Sequence, residues 1–418
     1  MDEYLPRIAD AELQKALSTF GAVLIEGPKW CGKTTTARQA AASELLVADP
    51  ANDFGNRTLA QIDPAYAIRG DEPRLIDEWQ EVPKLWDAAR FECDARGGTG
   101  HFIFTGSATP RDSQAPMHSG AGRFGRLKMG TMTLSELGVS SGEVSLSGLM
   151  AGERYRAVGS LGLEDIAVLV VRGGWPGAVD ATTEQASAMA REYLNIIADS
   201  DISSIDGNRR NPDRVMTLLR SLARNESTLA STRTIAADLS GELSRPTISS
   251  YISLLARLNV VDDIPAWYPA VRSSVPLREA KKHHLADPSL AAAALGADAA
   301  SLMSDVKTLG LLFESLVLHD LGIYARVCGA ALGHYHDYKN LEVDAIVSKP
   351  DGSWAEFEVK LGASQVPEAV ENVNKLEALM VEAGNEPPCA KCVIIGFGMP
   401  AHVTEEGVQV LPIDTLGA

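Results

Sequence analysis

Apolar and polar positions change their period repeatedly along this chain of 418 residues. From about residue 15 to 130, short apolar runs alternate with stretches of helical spacing. Ala22 to Ile25, Leu45 to Ala48, Arg74 to Ile76 and His101 to Thr105 read as strands, with helices between them. That alternation predicts a parallel sheet with crossover helices. From about 131 to 225 the pattern is mostly helical. Residues 184–200 carry apolar positions at helical spacing, and the turn formers Arg172-Gly173-Gly174-Trp175-Pro176-Gly177 interrupt the region.

Residues 231–267 suggest a winged-helix module. Arg233 to Leu239 begins one short helix, and Ser244-Arg245-Pro246-Thr247 opens a second. The second helix runs on through Ile248, Tyr251, Leu255 and Leu258, and Val260 to Ile264 reads as a wing strand. Arg209, Arg210, Arg214, Arg245 and Arg257 lie nearby. Beyond about 280 the pattern returns to mixed α/β. Leu309 to Leu321 is an amphipathic helix. Leu341 to Lys349 and Trp354 to Leu361 are strands around Pro350-Asp351-Gly352, residues 365–382 form a helix, and Cys392 to Gly396 a further strand.

The strand at Ala22 runs into Gly27-Pro28-Lys29-Trp30-Cys31-Gly32-Lys33-Thr34 and then into a helix. This is G-x-x-x-x-G-K-[ST], the phosphate loop of nucleotide hydrolases, in the strand–loop–helix setting the chemistry needs. The residues from Gly27 to Thr34, with Thr35 after them, are the expected phosphate cradle. Lys33 reaches the β- and γ-phosphates, Thr34 carries its hydroxyl to Mg²⁺, and Cys31 is expected beside the phosphates. Hydrolysis also needs a metal-holding acid and a base. Asp77 and Glu78, at the end of the strand Arg74 to Ile76, supply both. Thr105 and Ser107 close the next strand and are candidates to reach the γ-phosphate or the attacking water. Arg111, Arg123 and Arg126 follow; Arg123, beside Gly122, is the candidate arginine finger for transition-state charge. No Asn-Lys-x-Asp segment reads guanine, and the loop alone does not separate ATP from GTP.

Composition adds limits. The formal net charge of −17 argues against a protein coated in nucleic acid, though not against a local basic patch. Five scattered cysteines fit a reducing cytoplasm. Cys389-Ala-Lys-Cys392 has no second pair to complete a zinc site. An acidic start and the lack of a long apolar run predict neither a signal peptide nor a membrane helix.

The last section has its own chemistry. Strand alternation puts Glu356, Glu358 and Lys360 on one face, and Glu342 and Asp344 share a face of the preceding strand. An Asp followed 14 residues later by Glu-x-Lys is the core of PD-(D/E)xK nucleases. There, carboxylates bind Mg²⁺ and the lysine positions or deprotonates water. The expected site is Asp344, Glu358 and Lys360, with Glu314 added from the upstream helix. His319, His334 and His336 are within reach by sequence. The alternative is a nuclease-like fold used for binding, its charges forming a salt-bridge network.

Over nearly its whole length the chain resembles bacterial and archaeal AAA+-like ATPases with a C-terminal domain of unknown function. The resembling stretches are Leu24 to Thr34, Leu75 to Pro83, Phe104 to Ser107, Gly122-Arg123, Gly173 to Pro176, Leu312-Phe313-Glu314, Glu342-Val343-Asp344 and Glu358-Val359-Lys360. Lys29-Trp30-Cys31 departs from the Arg-Gln-Val type run of many relatives. The expected architecture is α/β: a P-loop AAA+-like parallel-sheet domain over 1–135, a helical lid over 136–225, a winged-helix module over 226–275 and a nuclease-like α/β domain over 276–418. The expected function is Mg²⁺-dependent ATP hydrolysis. Alternatives are an ATP-regulated nuclease acting on DNA or RNA, and a nucleotide-switched interaction module. If Arg123 acts in trans, the protein is a homo-oligomer.

Overall fold

The computed structural model describes residues 4–106, 120–239, 243–269 and 280–418. Contacts divide the chain into two units. The first comprises Met1–Thr131 with Ile196–Pro212 and Ser250–Val260; the second holds Met132–Asn195, Asp213–Ser249 and Val261–Ala418.

The first unit is built on five strands: β1 (Ala22–Glu26), β2 (Ser43–Leu46), β3 (Arg74–Asp77), β4 (Phe102–Thr105) and β5 (Phe124–Lys128). All pair in parallel, in the order β2-β3-β4-β1-β5. Central strands are covered on both faces, so they read as continuous apolar runs. Ala22 and Leu24 enter one core with Phe102, Phe104 and Trp86, while Val23 and Ile25 enter the other with Leu13, Leu75 and Ile103. Strand β5 escapes the sequence reading because it is an edge: its second residue is Gly125, and Arg126 and Lys128 face solvent.

The second unit holds a two-stranded sheet and a six-stranded one. Strand β6 (Val144–Ser145) pairs with the chain's last strand. The large sheet contains β7 (Ala331–His336), β8 (Glu342–Ser348), β9 (Trp354–Gly362), β10 (Ala390–Phe397), β11 (His402–Val403) and β12 (Gln409–Pro412). Its order is β11-β12-β10-β9-β8-β7. Strands β7, β8 and β9 form an antiparallel meander; β10 then pairs parallel to β9 after the crossover helix Val366–Glu382. Val366, Val370, Val373 and Leu376 of that helix pack into one core with Val393 and Ile395. The helix Val306–Val327, longer than the sequence pattern suggests, packs on β7 and β9. It is the one helix among the described residues long and apolar enough to cross a membrane, and it serves here as a core helix.

Residues 132–195, expected as part of a lid, group with this second unit. Strand β13 (Leu416–Gly417) pairs with β6, Ser140 donates to the Leu416 carbonyl, and Asp414 accepts from the Ser160 and Leu161 amides. In the region read as a wing, Val261 bridges to Leu285, Ile264 to Lys282 and Ala266 to His334 of β7. Its helices are Thr232–Asp238 and Arg245–Arg257.

Candidate functional site

The phosphate loop leaves β1 at the C-terminal end of the parallel sheet, where open α/β sheets take their ligands. Two glycines are dictated by geometry. A Cβ on Gly27 would stand 2.1 Å from the Met129 carbonyl oxygen, and Gly32 turns into the helix Lys33–Ala40 at φ 101°. The first amides of that helix have no intrahelical acceptor and suit an anion. Lys33 is buried and folded back: its Nζ donates to the carbonyls of Gly27 at 2.9 Å and Pro28 at 2.6 Å.

Strand β4 lies between β1 and β3, so the ends of all three meet. Asp77 Oδ1 accepts from Thr34 Oγ1 at 2.9 Å and from the buried Thr105 Oγ1 at 2.6 Å. Glu78 follows at φ 54°, a left-handed turn that ends the strand, and its carboxylate accepts from the Gln80 side-chain amide. Gly106 follows β4 close to the Gln80 side chain.

The rest of the loop differs from expectation in places. Trp30 is exposed at φ 65°. The Cys31 side chain is turned inward: it is 0% exposed, with Sγ 3.7 Å from the Met129 carbonyl. Lys29 forms an ion pair with the largely buried Asp201 at 2.7 Å. A residue the motif does not reveal supports the loop from below. The buried Arg7 donates to the carbonyls of Cys31 at 2.8 Å and of Gly130 and Thr131 at 3.1 Å.

Arg123 is not brought to the loop. It precedes β5, whose first residue pairs with Ala22 at the start of β1, so it sits at the opposite end of the sheet. Five residues of parallel strand separate the two ends by roughly 16 Å. Arg123 pairs there with Asp94 at 2.5 Å, which removes it as a finger for its own phosphate site. Arg126 pairs with Glu26. Ser107 and Arg111 lie outside the described residues.

In the second unit, Glu314, Asp344, Glu358 and Lys360 do converge. Lys360 Nζ lies 2.5 Å from Glu358 Oε2 and 3.4 Å from Asp344 Oδ2, and the Val359 amide donates to the same Asp344 oxygen at 2.9 Å. The sequence pattern missed Lys282. Its fully buried ammonium reaches Glu314 Oε1 at 2.7 Å, Glu342 Oε1 at 2.9 Å and Asp344 Oδ1 at 3.1 Å. Burial, reinforced by the Asp344 charge, pushes the Glu314 carboxyl up to about 8 despite Lys282. Burial opposes ionisation of Asp344 too, but Lys282 and Lys360 hold its carboxyl below the usual range. Burial also works against the Lys282 charge, and Glu314, Asp344 and Glu342 outweigh it.

The remaining candidates have structural partners. His319 pairs with Asp320, and the buried His334 ring bonds the Ala280 carbonyl. Cys392 is buried and Cys389 Sγ meets the Trp354 carbonyl. In the Gly173-Gly174-Trp175 run, Asp287 accepts from the Gly174 amide and Ser289 from the Trp175 indole. Among the described residues, no group of three or more His, Cys, Asp or Glu side chains is arranged to hold a metal ion.

One family model covers the part of the chain that contains the phosphate loop. Residues 19–138 match the family model described as "AAA domain", which places a P-loop ATPase domain at this end of the chain. Two domains of unknown function follow, DUF8612 over 163–301 and DUF4143 over 309–416. Uncharacterized proteins of Mycobacterium tuberculosis and Mycobacterium bovis are each 26% identical over 357 residues, which is 85% of this chain and 73% of theirs. Among solved structures, the Walker-type ATPase PABY2304 of Pyrococcus abyssi is 13% identical at a TM-score of 0.42, over 70% of this chain and 96% of that one. A RuvB variant of Thermotoga maritima is 18% identical at a TM-score of 0.28, over 63% and 92%.

Proposed function

We propose that the first unit binds ATP with Mg²⁺ and hydrolyses it. The observation that carries this reading is the meeting of Thr34 and Asp77 at the end of the phosphate loop. A hydroxyl and a carboxylate are the hard oxygen donors that Mg²⁺ takes, so the residues fit the ion. When bound, Mg²⁺ would neutralise charge on the phosphate oxygens.

The chain's own residues do the rest. The loop amides hold the phosphates. Lys33 exchanges the Gly27 and Pro28 carbonyls for phosphate oxygens. Glu78 takes a proton from the attacking water as its oxygen bonds the γ-phosphorus and the bond to the ADP oxygen breaks. The experiment is nucleotide titration and turnover with purified Lys33→Ala and Glu78→Gln. Lys33→Ala should lose ATP binding, and Glu78→Gln should bind ATP without hydrolysing it. Undiminished hydrolysis by Glu78→Gln would sink the base assignment. Catalysis by Arg123 in trans requires a homo-oligomer, with turnover per protomer rising with protein concentration. The free cysteines support a reducing, cytoplasmic setting.

A second reading concerns the other unit. The helix, three-stranded meander, crossover helix and parallel fourth strand, with Glu314, Asp344, Glu358 and Lys360 converging, support a nuclease-like fold. The two helices and bridged segments before it support a winged-helix module, with DNA or RNA as the partner class. The carboxylate site does not fit a divalent metal, because the Lys282 ammonium already lies among its oxygens.

A further inference from the structure

We propose that Lys282 is the resident cation of the carboxylate site, its ammonium standing where a divalent ion would stand, so that the wild-type site is metal-independent. The inference rests on the second unit alone and is independent of ATP hydrolysis.

Three observations carry it. First, the Lys282 ammonium lies within 3.1 Å of three carboxyl oxygens, donating hydrogen bonds to Glu314 Oε1 and Asp344 Oδ1 and forming an ion pair with Glu342 Oε1. Glu314 comes from the helix Val306–Val327; Glu342 and Asp344 come from β8. A divalent ion needs those oxygens at about 2.0–2.6 Å, and it cannot share their centre with Nζ. Second, Lys282 is anchored. Its backbone N–H donates to the Ile264 carbonyl at 2.9 Å, and the Ile264 N–H donates back to the Lys282 carbonyl at 2.9 Å. The side chain is 0% exposed. Third, both oxygens of Asp344, the acid a metal would need most, are engaged by cations: Oδ1 by Lys282 and Oδ2 by Lys360. Four carboxyl groups and two ammonium groups are therefore joined in one network.

Withdrawing the ammonium without replacing its charge should open a cation site of three oxygen ligands. The test is Mn²⁺ titration of the full nucleotide-free chain, followed by electron paramagnetic resonance. Wild-type protein should show no Mn²⁺ binding that Asp344→Asn removes. Lys282→Met should gain a Mn²⁺ site at least tenfold tighter, lost again when Asp344→Asn is added. Lys282→Arg, which keeps a cation, should stay without it. A wild-type Mn²⁺ site abolished by Asp344→Asn overturns the proposal, even if Lys282→Met does not fold. So does a folded Lys282→Met chain that binds no Mn²⁺. Thermal melting supplies a second readout: Mn²⁺ should raise the melting temperature of Lys282→Met and leave those of wild type and Lys282→Arg unmoved.

Discussion

Thr34 donates a 2.9 Å hydrogen bond to Asp77, although 43 positions separate them in the chain. Asp77 ends β3, and Thr34 lies in the first turn of the helix Lys33–Ala40, which the loop joins to β1 on the other side of β4. If both hold one Mg²⁺, their contributions are not independent. Thr34→Ala and Asp77→Asn should each weaken Mg-nucleotide binding about tenfold, or ~1.4 kcal/mol. The double variant should fall short of the sum of the two losses. Nucleotide titrations with Mg²⁺ and with EDTA measure both; fully additive losses would separate the two roles.

Arg7 fills three carbonyl acceptors beneath the loop, one of them Cys31. Arg7→Met leaves buried acceptors unmet, at a cost of about 2–4 kcal/mol. The melting temperature should fall and the dissociation constant for ATP should rise together. Lysine cannot reproduce the guanidinium fork, so Arg7→Lys should recover only part of either. Normal affinity in a destabilised Arg7→Met would separate the arginine from the loop.

Cys31 faces inward. In the native protein a maleimide should label Cys328 and Cys389, both partly exposed, well before Cys31. Mass spectrometry of the labelled peptides follows the order. Equal rates at Cys31 and Cys389 would mean that the loop opens in solution.

The Asp94–Arg123 pair is solvent-exposed, so Arg123→Ala should change stability by less than ~1 kcal/mol. At dilute protein its turnover should equal that of wild type. A loss of turnover that appears only as concentration rises would place Arg123 in a neighbouring protomer's site.

The carboxyl of Glu314 titrates near 8 in the folded chain, against 4.5 for an unperturbed group. Between those values the folded state keeps a proton that the unfolded state has released. Stability therefore falls as pH rises through that window. Asp344 behaves oppositely: its folded value is depressed, so its contribution is present above the ordinary carboxylate range and disappears in acid. Glu314→Gln should flatten the decline between pH 5 and 8. Urea unfolding at several pH values measures it; an unchanged slope would assign the decline elsewhere.

What the sequence disclosed depended on whether chemistry and pattern coincided. Gly27 to Thr34 and Asp77 were readable because phosphate binding constrains residue types at short spacing. Asp344, Glu358 and Lys360 were readable because period-two alternation carries them to one face. Lys282 was not, since only the pairing of its backbone with Ile264 brings it to the carboxylates. Arg7 has no motif because its partners are carbonyls, which every residue possesses. Misplacing Arg123 followed from missing β5: without that edge strand, residues after β4 seem to remain at the phosphate end. The grouping of 132–195 with the second unit comes from long-range packing, chiefly of the helix Leu163–Arg172 on Pro288–Leu295 and Ala299–Ser304, with β6 pairing β13, and no local period registers such contacts.

Lys29 and Asp201 make the state of the loop felt elsewhere in the first unit. Asp201 ends a π-helical turn, Ile197–Asp201, and is largely buried. A phosphate that draws Lys29 away would leave that carboxylate to find another cation or reach water, and an unmatched buried charge costs about 3–5 kcal/mol. If phosphate takes Lys29 in this way, nucleotide affinity and the conformation of that turn are linked, and linkage runs both ways. Whatever holds Asp201 against Lys29 weakens the grip on phosphate by the same factor by which phosphate loosens the turn.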